Sequence, residues 1–274
     1  MCNPNGDMDN ENKPRMDYDT FINLVSDVRL KRYIRDYFED IKGEEIFISN
    51  KAKDAKERNK QIQDLNKGHL DLIDVRLFGA VTAEEDRGGH FTGPVQFNWG
   101  YSLHPVEIVD SSTITSSFSG GQGIGKDYRL YYSLIAFSGS VNANAAEETN
   151  LTEEDLKLFD EAMLNSIPLA RTRTKIGQYP RLYLRLELKG KDKFLKDLRS
   201  MVEVTSQNPN IVQNLRLIRN PEDYELNINP LIEYLNQNKE LISCIHYWKD
   251  EQISIPDFDK IFIQDDWKKP LSLK

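Results

Sequence analysis

Residues 26–38 read SDVRLKRYIRDYF. Leu30, Ile34, Tyr37/Phe38 and, just beyond, Ile41 recur at three- and four-residue spacing, the period of a helix with one buried face. Ser26 or Asp27 supplies the N-cap. Arg29 and Arg32 fall away from the apolar stripe, with Lys31 and Arg35 on its flanks, so four cations ride on one short amphipathic helix. The chain that carries it has 274 residues and a net charge of −8.

Working outward, residues 1–17 are polar, hold an Asn-Pro-Asn-Gly-Asp turn, and show neither helix nor strand periodicity. KAKDAKERNKQIQDLNK (51–67) has the pattern of a second, highly charged helix, and HLDLIDVRLFGAV (69–81) is a third apolar pattern interrupted at Gly79. After Gly88-Gly89 the texture changes. GPVQFNWGYSLHPVEI (93–108) and YRLYYSLIAFSGSVNA (128–143) are rich in aromatic and β-branched residues and read as strands. The polar SSTITSSFSGGQGIGKD between them is too long for a tight hairpin. LTEEDLKLFDEAMLNSI (151–167) is the clearest helix, with a Thr152/Asp155 capping box and an apolar face of Leu156, Phe159, Ala162/Met163 and Ile167. RLYLRLELK (181–189) alternates at period two, as a strand with one wet face does. Helices and strands that alternate without a repeat or low-complexity linker point to one α+β domain.

Charge is segregated. Residues 26–38, 51–67 and 171–193 together hold 18 basic and 7 acidic residues, a net of +11, against −19 for the rest of the chain. Such a pattern builds a local field for a polyanion while the acidic remainder keeps the protein dissolved. No apolar run approaches the ~18 residues of a membrane span, and the first residues lack the apolar stretch of a signal peptide. Cys2 and Cys244 form neither a disulfide framework nor a C-x-x-C, which suits a reducing cytoplasm.

Enzymatic motifs fail on inspection. Gly120, Gly125 and Lys126 match G-x-x-x-x-G-K, but Asp127 stands where a phosphate loop needs Ser or Thr, and a loop tip is the better account. DMDNEN (7–12) opens like a calcium loop, yet Asn12 replaces the glycine and Tyr18 the bidentate glutamate. Histidines 69, 90, 104 and 246 show no ligand spacing, and His104 beside Pro105 reads as a turn or surface residue. Neither cysteine has a nucleophile's local signature, so the expectation is no catalytic residue, no metal and no cofactor.

Seven motifs in one order then bear on the function: NPNGD with NKPR (3–7, 12–15), SDVRLKRYIRDY (26–37), DVRLFGAV (74–81), GPVQF (93–97), SLHPVEI (102–108), FSGSVNA (137–143) and TEEDLKLFDEAML (152–164). Together they resemble the RNA-binding backbone subunit of CRISPR Cascade effector complexes in its type I-B form. The resemblance implies a ferredoxin-like or RRM-like palm (roughly 1–45, 93–101 and 128–274), a helical finger insertion (46–92) and a β-hairpin thumb (102–127). It implies a non-catalytic subunit of which several copies polymerise as a helical filament along a CRISPR guide RNA, beside other Cascade subunits. The guide is thereby presented to a target DNA strand in antiviral defence. Relatives open with an apolar strand before NPNGD, so a first palm strand is expected to be missing here.

Carried over by position, the resemblance assigns RNA contacts to Asn5 and Gly6 in the NPNGD loop, and to Ser26, Arg29, Lys31, Arg32 and Arg35 on the basic helix. It adds Gln96 and Phe97 on the palm, His104 and Lys126 in the thumb segment, and Arg171, Arg173 and Lys175 after the long helix. Sequence-independent binding suits this set, because Lys, Arg and backbone amides hold phosphates without reading bases. Two alternatives stay open: a target-RNA ribonuclease of the type III backbone kind using Asp7 or Asp9, and a monomeric single-stranded RNA-binding module.

Overall fold

The computed structural model describes residues 1–81, 90–109, 113–115, 124–170 and 172–273. The quoted stretch is helix α1, Asp27–Asp40. Ser26 caps it, its Oγ accepting the Arg29 N–H at 3.3 Å. The helix ends as Ile41 and Lys42 both donate to the Tyr37 carbonyl. Its stripe of Leu30, Ile34, Tyr37 and Phe38 is buried with Ile73, Leu77 and Phe78 of α3 (Ile73–Phe78) and with Phe159 and Ala162 further along the chain. Helix α2, Ala55–Asp64, is capped by Asp54 Oδ1, which accepts the Glu57 N–H at 2.8 Å.

Helix α3 stops at Gly79, whose φ is +78°. A Cβ there would meet the Phe91 carbonyl oxygen at 2.1 Å, and one on Gly93 would meet the Phe78 carbonyl carbon at 2.0 Å. Two backbones cross at a distance only glycine allows. That crossing starts the antiparallel pair Gly79–Val81 with His90–Thr92.

The strand-rich middle forms short pieces of two ladders. Val95–Phe97 runs antiparallel to Gly139–Val141, and Gly100–Ser102 to Ile135–Ala136. Gly100–Ser102 also pairs with Ile22–Val25, giving a four-stranded sheet in the order 135–136, 100–102, 22–25, 16–17. Thr113–Thr115 pairs antiparallel with Ile124–Lys126. The N-terminal residues are more ordered than their composition suggests: Gly6–Asp7 pairs with Lys13–Pro14, and Cys2 forms a bridge with Leu130.

Helix α4, Ala143–Glu148, is capped by Asn142. Helix α5, Glu153–Asn165, begins with the expected Thr152/Asp155 capping box. Beyond it, Leu182–Leu188 pairs antiparallel with Ile242–Lys249, which takes Lys268–Pro270 as a parallel neighbour. These strands, with α6 (Pro209–Gln213) and α7 (Asn229–Gln237), enclose a second core around Leu231, Leu235, Ile242, Ile245 and Trp267.

The expected wet face of 181–189 is wet only in part: Asp160 of α5, 2% exposed, covers Tyr183 and Arg185, while Glu187 stays half-exposed. Tyr183 donates to Asp160 Oδ1 at 2.7 Å, while Arg185 Nε and Nη2 reach its two oxygens at 2.8 and 2.7 Å. Period-two alternation tells which side chains share a face; what lies over that face is set by the helix packed there. The whole is a mixed α/β molecule of several small sheets and, among the described residues, seven α-helices.

Candidate nucleic-acid interface

The Asn-Pro-Asn-Gly-Asp turn is stapled between two basic segments. On one side Asn5 Oδ1 accepts both the backbone N–H and the hydroxyl of Ser26, each at 2.9 Å, locking the turn to the start of α1. On the other, Asn3 N–H donates to the Thr174 carbonyl at 3.0 Å. Lys175 Nζ donates to the carbonyls of Asn3 and of Pro4, the latter at 2.9 Å. Gly6 lies against Asn12, where a Cβ would stand 3.1 Å from the backbone oxygen. The loop and both basic segments thus form one unit.

The cations of α1 fare differently from one another. Lys31 Nζ lies 3.2 Å from Asp27 and donates to Gln96 Oε1 at 3.3 Å. Arg32 pairs with Asp36 and donates to the Ile48 carbonyl at 3.0 Å. Arg35 is a correction to the expected exposed strip: it is buried, with Nε donating to Asp74 at 2.9 Å. Asp74 also accepts the Phe47 and Ile48 N–H groups at 2.7 and 3.1 Å, so this pair ties α1 to α3 and to the segment between α1 and α2. The period left Arg35 on the flank of the stripe, and the packing of α3 closed over that flank.

Arg29 stands apart. Its guanidinium carbon sits 3.9 Å from the centroid of the Tyr33 ring, a cation–π contact, and its buried Nε has no hydrogen-bond partner. The Tyr33 hydroxyl and Gln178 Nε2 are likewise buried without partners. Lys175, close by, is pushed down to about 8 by burial first and then by the charge of Arg29. Among the described residues its amine reaches two carbonyls and no carboxylate. Arg29 and Tyr33 line one part of a groove of about 510 Å³ that continues along α1 to Ser166 and Thr172. Ser166 Oγ is a fourth polar atom left without a partner. Buried donors without acceptors cost ~1–3 kcal/mol each, so the end of the groove at Arg29 suits an anion, while Asp36, Glu39 and Asp40 line the rest of it.

Other expected contacts are scattered. Gln96 is exposed and joined to Lys31, whereas Phe97 leans on Phe159 with ring centroids 6.2 Å apart and flanks the core. His104 is a second correction. It is 1% exposed, its Nδ1 meets the Pro105 carbonyl at 2.8 Å and its Nε2 accepts the Leu134 N–H at 3.3 Å. Burial lowers its pKa, and the ring stacks on Tyr132. With Ser102 and Val106 also buried, the first part of 102–127 belongs to the body, not to a projection. Sequence reading placed His104 outside because a His-Pro pair signals a turn; it says nothing of the turn's depth.

Lys126 is exposed and reaches Glu11 at 2.7 Å, where Tyr128 also donates at 2.8 Å. Arg173, 61% exposed, lies 3.2 Å from Asp127. Arg171 lies outside the described residues. Of the two acids weighed for cleavage, Asp7 faces Arg15 at 3.3 Å and Asp9 is exposed in the turn that follows. Tyr33 and Gln178 were missed by sequence reading, as were Ile176 and Tyr179, which flank Lys175 and are 64% and 58% exposed. Their signal was position inside the basic stretches, Tyr33 in the first and Ile176, Gln178 and Tyr179 in the third.

With this geometry in place, the kinship of the chain is clear. The family model for CRISPR-associated protein Cas7 matches residues 1–229, and the chain belongs to that family. A CRISPR-associated protein Cas7 from Haloferax volcanii is 29% identical over an alignment of 312 residues that covers 99% of this chain and 90% of the relative. Among solved structures, a chain of a CRISPR RNA-guided surveillance complex superposes with a TM-score of 0.57 at 15% identity, covering 100% of this chain and 90% of that one. A chain of a pre-nicking CRISPR RNA-guided surveillance complex gives 0.54 at 13% identity, covering 96% and 94%. The likeness to these structures is one of fold. Among the described residues no helix is long and apolar enough to cross a membrane.

Proposed function

We propose that this protein is a non-catalytic backbone subunit of a type I-B CRISPR effector complex. It holds guide RNA through the phosphates, independently of sequence, and several copies line up along one guide so that the bases remain free to pair with target DNA. The palm, finger and thumb division, with the paired strands 113–115 and 124–126 at the thumb, belongs to this reading. The observation that carries it is the Arg29–Lys175 cluster: two cations without a carboxylate partner among the described residues, with Arg29 lining a groove beside unsatisfied polar groups. Exposed Ile176 and Tyr179, in the same segment as Lys175, offer surfaces on which bases can stack without being read.

The test is binding of unrelated single-stranded RNAs over a range of salt. Wild type should bind them with similar affinity, and Arg29→Gln with Lys175→Gln should weaken all of them equally, flattening the salt slope by ~0.7 for each phosphate no longer neutralised. Subunits should add in steps as the RNA is lengthened. Sequence-dependent losses, or a fixed stoichiometry on long RNA, would defeat this reading. Cleavage of bound RNA abolished by Asp7→Ala would put the ribonuclease in its place.

A further inference from the structure

The paired strands 182–188 and 242–249 carry a second polar cluster, remote in sequence from α1 and unused by the RNA reading. Glu187 stands directly opposite Cys244, and Arg185 opposite His246. Cys244 and His246, two apart on one strand, therefore share a face with Glu187. Cys244 Sγ lies 3.3 Å from Glu187 Oε2 and 3.6 Å from His246 Nε2, and His246 Nε2 lies 2.8 Å from Glu187 Oε1. A thiol, an imidazole nitrogen and a carboxylate converge with every donor atom within 4.8 Å of the others.

We propose that Glu187, Cys244 and His246 form a binding site for a thiophilic divalent cation of the Zn²⁺ class. Tetrahedral Zn²⁺ holds S, N and O at about 2.3, 2.0 and 2.1 Å, which places the donors about 3.3–3.6 Å from one another. Two spacings are already near those values, Cys244 Sγ to Glu187 Oε2 at 3.3 Å and to His246 Nε2 at 3.6 Å. Sulfur and imidazole donors select against Mg²⁺ and Ca²⁺, which take oxygen. Glu187 Oε2 is the coordinating oxygen, because Arg185 Nη1 already donates to Oε1 at 3.1 Å. Cys244 is the buried corner, while Glu187 and His246 are half-exposed, leaving an outward position for water.

The surroundings suit a loaded site. Asp160 Oδ2 lies 3.9 Å from His246 Nδ1, beyond hydrogen-bond distance, and puts a negative charge on the side of the ring away from Glu187 while its oxygens accept from Tyr183 and Arg185. Thiolate and carboxylate together balance a divalent charge. Binding converts the Cys244 thiol to thiolate with release of one proton, and the coordinated imidazole holds its proton on Nδ1, on the side of Asp160. No electron is transferred. The ion would pin the two strands to each other.

The test uses the full chain, stripped with a chelator and titrated with Zn²⁺ and with Co²⁺ as a coloured substitute. One equivalent should bind with release of about one proton from the thiol, and Co²⁺ should show a thiolate charge-transfer band. Cys244→Ser should abolish the band, and Glu187→Gln should weaken binding by more than the ~10–100-fold that loss of an outer-shell partner costs. Cys2→Ser should change nothing. Should a variant misfold, the wild-type chain still decides: Zn²⁺ should slow alkylation of Cys244 and leave Cys2 unaffected. Binding that survives Cys244→Ser, or alkylation of Cys244 indifferent to Zn²⁺, overturns the proposal.

Discussion

Arg35 and Lys175 are both withdrawn from bulk water, and their surroundings could hardly differ more. Arg35 meets Asp74, which two backbone amides also hold, so every charge in that corner has an opposite. Lys175 meets carbonyl oxygens and the repulsion of Arg29. A buried cation with a fixed carboxylate is part of the scaffold, because breaking the pair strands a charge. A half-buried cation without one, as at Lys175, is held at a cost that an incoming anion repays. The contrast separates cations that build the protein from those offered to a ligand, a distinction the count of basic residues conceals.

The largest effect expected follows from breaking the scaffold pair. Asp74→Ala leaves the Arg35 guanidinium and two amides unsatisfied, and should lower stability by ~3–5 kcal/mol in urea unfolding. RNA affinity per folded molecule should stay within about twofold, since the Arg35 charge is already answered by Asp74. A destabilisation below ~1 kcal/mol would return Arg35 to the residues offered to phosphate.

Next comes the ligand side of the contrast. Lys175→Gln should weaken RNA binding by roughly tenfold, a ~1.4 kcal/mol effect consistent with one charge-assisted hydrogen bond, while stability holds or rises. Filter binding with the matching urea curves tests both halves. A variant that loses stability but keeps affinity would make Lys175 a loop staple and nothing more.

A pH series sharpens the same point. The folded pKa of Lys175, about 8, lies below the value of an exposed lysine, so between about 8 and 10.5 the unfolded chain binds the extra proton. Stability should therefore rise with pH through that window, and the penalty of the buried charge is present in full below it. RNA favours the charged amine, so affinity should fall as pH passes 8, with proton uptake on binding. Lys175→Met should remove both slopes; retention of either would assign it to another group.

The smallest effects belong to the helix surface. Lys31→Met and Arg32→Met break pairs with Asp27 and Asp36 that remain partly open to solvent, worth ~0.2–1 kcal/mol each. Their RNA phenotype should be weaker than that of Lys175, because a phosphate must first displace a carboxylate. Equal losses of affinity from all three variants would erase the proposed distinction.

The match between sequence and structure was best where local forces dominate. α1 and α5 fall where spacing and caps placed them, since a cap and a buried stripe are encoded within a few residues, and α2 is a shorter helix inside the 51–67 pattern. The strands at 93–108 and 128–143 appear as shorter pieces, broken where the ladder shifts partners. The kinship came from seven short motifs in order, and the family match confirms it over residues 1–229.

The sequence by itself determined that α1 is amphipathic, that its polar face is basic, and that Arg29, Lys31, Arg32 and Lys175 belong to positive stretches of an acidic chain. Only the tertiary structure decided which of those charges is answered. Asp74 comes 39 residues after Arg35, Asp127 lies across the chain from Arg173, and Glu187 faces Cys244 from 57 residues away. Periodicity reports the direction in which a side chain leaves its own element. Partners and depth are properties of the element that arrives opposite, and no local pattern contains them.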